Sequence, residues 1–345
     1  MPKKTAAQVA VARHIPDTDA DGADGPPYDE QEDLIDFGDN DESLGFRSLE
    51  DEDDFINILY YGREGTGKTT HAAAVTNLPD VKRVLVISAE GGLKKTALKK
   101  RGIDTSKLVV WPPQGEMVTF EGLVRVHQRI LSDLIEVPDS WGAVIIDSAT
   151  EIVDAVREAA TGERMNKLTR QNKEFDPNFI DRSDYGVMTD QLRRVFRRFR
   201  NLPCHVITTA LERYDEDNDV IGPAMTPELA KSVLGYNDLD LYCRADLEAA
   251  GEAKEGDDRG AEFRALTRPT SKYRAKDRFD ILPRVLANPD FGRVAMYVFG
   301  DLTEEDDELQ QGYLVRQQAR EEAKAKAEAD RKAKREAAKK TAKKG

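Results

Sequence analysis

An α/β fold with a mostly parallel central sheet is predicted by three observations. Residues 62–70 read GREGTGKTT, a full match to G-x-x-x-x-G-K-[ST], between an apolar strand and a helix-forming run. Further runs are almost continuously apolar, as strands covered on both faces are, and helical stretches separate them. One of these runs, AVIID, ends in an acid, Asp147.

Taken in order, FINILYYG (55–62) is the first strand and KTTHAAAVTNL the helix after the glycine loop. KRVLVIS (82–88) and KLVVW (107–111) supply the second and third strands. TFEGLVRVHQRILSDLIEV reads as an amphipathic helix, with apolar residues at 123, 126, 130, 131, 134 and 135. WGAVIID (141–147) and CHVITTA (204–210) are two more buried strands. Between them, Met188, Leu192, Val195, Phe196 and Phe199 share one face of a helix, and Arg193, Arg194, Arg197, Arg198 and Arg200 crowd the rest. LDLYCRADL, AEFRALTR and GRVAMYVFG read as later strands, antiparallel additions at one edge.

The net charge of −13 is unevenly spread. Residues 1–55 hold 17 acidic and 4 basic side chains, whereas residues 321–345 hold 5 acidic and 10 basic ones. The expected organisation is an acidic, disordered arm over residues 1–52, a core over 53–302, and a charged helical or disordered tail over 303–345. The arm is either a solubilising segment or a DNA-mimicking or partner-docking one anchored by Leu34, Ile35 and Phe37; the tail is either a solvated helix or a loose holder of phosphate backbones. An acidic chain with such a tail does not exclude nucleic acid as a partner. Two cysteines, no secretory leader and no apolar run of membrane-spanning length lead us to expect a cytoplasmic protein without membrane association. Metal centres built on histidine or cysteine are not expected, because His14, His71, His127 and His205 have no ligand spacing with Cys204 or Cys243.

The glycine loop carries the chemistry. Across Gly62, Arg63, Glu64, Gly65, Thr66, Gly67, Lys68, Thr69 and Thr70, backbone N–H groups turn inward to cradle phosphates at a helix start. Lys68 would reach the β and γ phosphates of ATP, and the Thr69 hydroxyl would ligate Mg2+. Asp147, ending its strand, places a carboxylate beside that Mg2+. Glu90 in VLVISAEGG, 22 residues after Lys68, ends the second strand and can orient or deprotonate a water; its alternative is a turn residue before Gly91 and Gly92.

Together the loop with Glu64, the strand ending in Ala89-Glu90 and the strand ending in Ile146-Asp147-Ser148 resemble the RecA-like P-loop ATPases, over roughly residues 53 to 300. More narrowly, the chain is similar to short phage-encoded RecA-like proteins, the Sak-type single-strand annealing ATPases with an AAA domain. The resemblance implies an oligomeric ATPase, ring or filament, acting on single-stranded DNA in recombination, annealing or replication in the cytoplasm of a host cell. A phage single-strand-binding or replication protein is a further implied partner.

By the same resemblance Glu90 is the catalytic base, and Thr208 or Thr209 (Thr209 at the strand's end) senses the γ-phosphate where RecA itself has glutamine. Lys276 and Arg278 in YRAKDRFD would reach a neighbour's γ-phosphate; without the resemblance they read as a solvated charge cluster. Arg164, Lys167, Arg170 and Lys173, in a looser stretch GERMNKLTRQNKEF, would meet the DNA backbone, and Tyr214 would stack on a base. Two other classes stay open: a helicase or packaging-type motor, and a nucleotide-switched scaffold that DNA does not stimulate.

Overall fold

The computed structural model describes residues 54–171, 182–246 and 262–342. The acidic arm and Lys173 lie outside the described residues. Among the described residues, the body is a P-loop NTPase core around a nine-stranded sheet. Its strands are β1 Asn57–Tyr61, β2 Val84–Ser88, β3 Leu108–Trp111, β4 Ala143–Asp147, β5 His205–Ala210, β8 Leu239–Asp246, β9 Glu262–Leu266, β10 Lys276–Asp277 and β11 Val285–Ala287. They run in the order β11-β9-β8-β1-β5-β4-β2-β3, with β10 beside the first half of β8. From β8 to β3 every pairing is parallel, while β9 and β10 run antiparallel to β8. LDLYCRAD, expected as an antiparallel addition, is therefore a full member of the parallel sheet.

Residues along each strand alternate between two buried layers, as the two-residue side-chain period requires. Leu59, Tyr61, Leu85, Ile87, Val144 and Ile146 face one layer, completed by helices α3 Phe120–Glu136, α4 Ala149–Arg170, α5 Arg182–Arg200 and α6 Pro227–Tyr236. Ile58, Tyr60, Val84, Val86 and Ile145 face the other, where Phe291, Val294 and Ala295 of α7 Phe291–Phe299 pack. Helix α1 Lys68–Ala73 follows the glycine loop, and Leu98 of α2 Lys95–Lys100 packs with Ala73 and Ala74 at the end of α1. On α3, Leu123, Ile130 and Leu134 are buried, but Ile135, expected on the same face, is 73% exposed.

GRVAMYVFG, expected as a strand, forms α7. Its run of apolar residues fits either period; the Asp290 side chain decides it by accepting a hydrogen bond from Arg293 N at 3.1 Å and capping the helix. GERMNKLTR is likewise no loop but the second half of α4. Ile152, Val156 and Ala160 anchor the first half at helical spacing, and residues of good helix propensity carry it onward.

A two-stranded hairpin, β6 Glu212–Asp215 and β7 Val220–Pro223, follows β5. Past residue 302, a long helix, α8 Glu308–Ala342, begins inside the body: Gln310 and Tyr313 are buried, and Gln310 bonds Val285 O and Ala287 N. Arg293 pairs with Asp307 in the interior, and Tyr297 Oη donates to the same carboxylate at 2.8 Å. Among the described residues no helix is long and apolar enough to cross a membrane.

Burial alone would raise the Asp307 pKa, but the Arg293 and Tyr297 hydrogen bonds outweigh it and hold the carboxyl below its usual value. That stabilisation is present above the unfolded carboxyl pKa of about 3.9 and is lost as pH falls through the folded value. Asp307→Ala, leaving Arg293 buried without its anion, should cost about 3–5 kcal/mol in denaturant unfolding at pH 7. The difference from the native chain should shrink as the pH is taken below about 3.9.

Candidate nucleotide site

Strand order sets the site. Along the C-terminal edge of the sheet, β1, β5, β4 and β2 deliver in turn the glycine loop, Thr209, Asp147 and the Ala89-Glu90 turn. The register places Thr209 level with Tyr60 of β1, and Asp147 level with Ser88 of β2.

The loop leaves β1 at Gly62, whose φ is 151°, and a Cβ there would stand 2.4 Å from the Cys243 carbonyl oxygen of β8. Gly67, with φ 82°, starts α1; its Cβ would meet His71 Nε2 at 2.8 Å and Phe263 at 3.2 Å. Glycine is required at both positions by backbone conformation and by space. Lys68 folds across the loop, its Nζ donating to Gly62 O at 3.0 Å and Arg63 O at 2.8 Å. Burial lowers its pKa, against the raising influence of Glu90, Asp147 and Glu64 among others. Thr66 Oγ1 donates to Arg63 O at 2.8 Å, which tightens the same turn. Arg63, 77% exposed, pairs with Glu212 at 2.9 Å.

At the centre is Asp147, 2% exposed. Thr209 Oγ1 donates to its Oδ1 at 2.6 Å, and Thr69 Oγ1 lies 3.1 Å from each carboxylate oxygen. Burial raises the Asp147 pKa; the Thr209 and Thr69 hydroxyls and Lys68 oppose this, while Glu90 adds to it. Of the two threonines open in the sequence, Thr209 reaches the carboxylate, whereas Thr208 points into the layer of α5, beside Phe196 and Phe199. The Asp147 carbonyl accepts from Ala89 N at 2.7 Å and Glu90 N at 3.3 Å. That pins the turn presenting Glu90, which is solvent-exposed at the rim of the site. One buried carboxylate and a neighbouring hydroxyl form an oxygen donor pair of the kind Mg2+ prefers, with the remaining positions open to phosphate oxygens and water.

The remaining expected residues lie apart from this cluster. Lys276 and Arg278 sit near the start of β8, away from the glycine loop. Lys276 Nζ donates to Leu234 O at 2.9 Å and Asn237 O at 2.6 Å, closing the end of α6, and burial lowers its pKa. Arg278 pairs with Asp238 at 2.7 Å. Neither cation is a freely solvated charge: each is engaged by its own chain. Arg164, Lys167 and Arg170 ride on helix α4. Tyr214 is exposed on β6, its hydroxyl donating to Asp219 at 2.7 Å.

Three contributors escaped the sequence reading. Thr150 Oγ1 accepts from Leu211 N at 3.1 Å and steadies the end of β5. Glu212 joins Arg63 to the Tyr242 hydroxyl, which donates to it at 2.9 Å. Its place two residues beyond CHVITTA was the one available signal. Cys243 backs Gly62 and is buried, its thiol pushed up to about 12 by burial; nothing in the sequence marked it.

The family model described as AAA domain matches residues 54–279, well over half of the chain. No curated protein gives a significant match.

Because the folded state holds the Asp147 pKa above its unfolded value, ionisation of this carboxyl erodes stability as pH rises from about 3.9 through the folded pKa. Asp147→Asn should remove that loss and raise the melting temperature at pH 7. Thr209→Val should cost about 1–3 kcal/mol in the native background and less in the Asp147→Asn background, a coupling read by a double-mutant unfolding cycle.

Proposed function

The chain belongs to the AAA-domain family of nucleotide-binding ATPases, and from that premise we propose that it hydrolyses ATP with Mg2+ as an oligomer on single-stranded DNA. The observation that carries the ATPase reading is the convergence of Thr69, Thr209 and Lys68 on and around the buried Asp147 carboxylate. Backbone N–H groups of the glycine loop and the Lys68 ammonium would hold the β and γ phosphates. Thr69 and Asp147 would hold Mg2+, which supplies charge neutralisation on the phosphate oxygens when bound. Thr209 orients the Asp147 carboxyl by donating to it, and that hydrogen bond favours the ionised form against burial. Glu90, exposed at the rim and close enough to raise the Asp147 pKa, would accept a proton from the attacking water.

The DNA and self-association parts rest on fewer residues. Lys167 and Arg170 are exposed on the outer half of α4, and Tyr214 is 53% exposed on the hairpin following β5. Cations that follow a phosphate backbone and an aromatic ring that stacks on bases are the elements of sequence-tolerant single-strand binding. Annealing or recombination in a phage setting is the role we assign to this pair of activities. In an oligomer, Arg278, 49% exposed, would exchange Asp238 for a neighbour's γ-phosphate; Lys276 would keep the end of α6 in place beside it.

Steady-state ATP hydrolysis, with and without single-stranded DNA, tests these parts separately. Lys68→Ala and Glu90→Gln should each lower turnover by at least about 100-fold. Reversing charge at Lys167 and Arg170 together should abolish DNA stimulation and leave DNA-free turnover intact. Full activity in Lys68→Ala would end the ATPase reading; native turnover indifferent to DNA would end the DNA reading and favour a nucleotide-switched scaffold.

A further inference from the structure

Beside the glycine loop, a cleft of about 720 Å³ opens against α1, with neither Asp147 nor Glu90 in its lining. Its floor includes Thr70, the residue after the Thr69 hydroxyl, and Ala74 one turn on. Arg101, just past α2, forms one wall, and Phe263 of β9 with Asn288 forms the other. Phe263 reaches the loop itself, 3.2 Å from the place a Cβ on Gly67 would occupy. The volume is that of a ligand site rather than a packing defect.

We propose that this cleft seats the base and ribose of the bound nucleotide, and that Phe263 and Arg101 make it prefer a purine. The inference rests on the reading of residues 62–70 as the phosphate site. The direction follows from charge. The terminal phosphate belongs near Lys68, Thr69 and Glu90, so the other end of the phosphate chain leaves past Thr70, where the cleft begins. The chemistry of the walls suits a flat heterocycle. The Arg101 guanidinium already lies over the Phe263 ring at 5.2 Å, and His71 meets the same ring edge-on at 5.5 Å. Arg101 is exposed and free to swing outward, so a base can enter the stack between guanidinium and ring. A purine overlaps both planar groups more fully than a pyrimidine does, and the gain from base–aromatic stacking grows with overlap. Thr70 and Asn288 offer polar contacts at the rim.

Titration calorimetry on the full chain with Mg2+ separates this inference from the phosphate site beneath it, with ATP, CTP and inorganic tripolyphosphate as probes. Native protein should bind ATP several-fold more tightly than CTP. Phe263→Ala and Arg101→Met should each weaken ATP by roughly tenfold, the scale of one lost stacking partner, and leave tripolyphosphate unchanged. Phe263→Tyr should retain native ATP affinity, which shows that the ring and not the fold is read. Equal loss of ATP and tripolyphosphate in Phe263→Ala, or no change in either, overturns the base seat. Failure of native protein to bind tripolyphosphate or ATP overturns the phosphate site and the base seat together.

Discussion

The hydrogen bonds from Thr209 and Thr69 to the Asp147 carboxylate are the constraint around which this edge of the sheet is built. An acid 2% exposed is costly unless its oxygens are satisfied. Satisfying them requires three elements at one level: the end of β4, the end of β5 and the first turn of α1. Insertion of β5 between β1 and β4 makes that possible, because the two hydroxyls then approach from different sides. The backbone carbonyl of the same residue fixes the turn that carries Glu90. One residue thereby ties four segments that are far apart in sequence.

The opposite edge has its own knot, and it explains a charge cluster that looks solvated in sequence. Asp238 accepts from Asn57 N at 2.9 Å and pairs with Arg278, so it links β1, β8 and β10 at their ends. Asp277 accepts from four successive backbone N–H groups, those of Phe279, Asp280, Ile281 and Leu282. Lys276 serves the end of α6, where the last helical carbonyls otherwise lack partners. YRAKDRFD is thus bound on alternating sides into the body, and a trans-acting role for Arg278 has to compete with an existing ion pair.

Buried strands were legible because a strand covered on both faces has to be apolar at nearly every position, and β1, β2, β4 and β5 are. The same property made α7 illegible: a short apolar run satisfies either period, and its helix is settled by the Asp290 cap and by the second core layer into which Phe291 and Val294 fit. The basic second half of α4 was misread for a different reason. Its polar composition suits a loop, but a helix nucleated by Ile152 and Val156 extends cheaply through residues of good propensity. Boundaries at the C-terminal side failed likewise, since Gln310 and Tyr313 are drawn into the core by contacts with β11 and β9 rather than by local pattern.

By itself the sequence determined the phosphate loop, the acid ending β4 and the α/β class, because each is a local requirement of backbone geometry or burial. Glycines at 62 and 67 have to be where positive φ and close approach leave no room for a side chain. Tertiary structure decided which threonine serves Asp147, what the cations at 276 and 278 hold, and that Phe263 and Arg101 meet beside the loop. Those outcomes depend on strand order and register, long-range pairings that residue spacing along one segment does not encode.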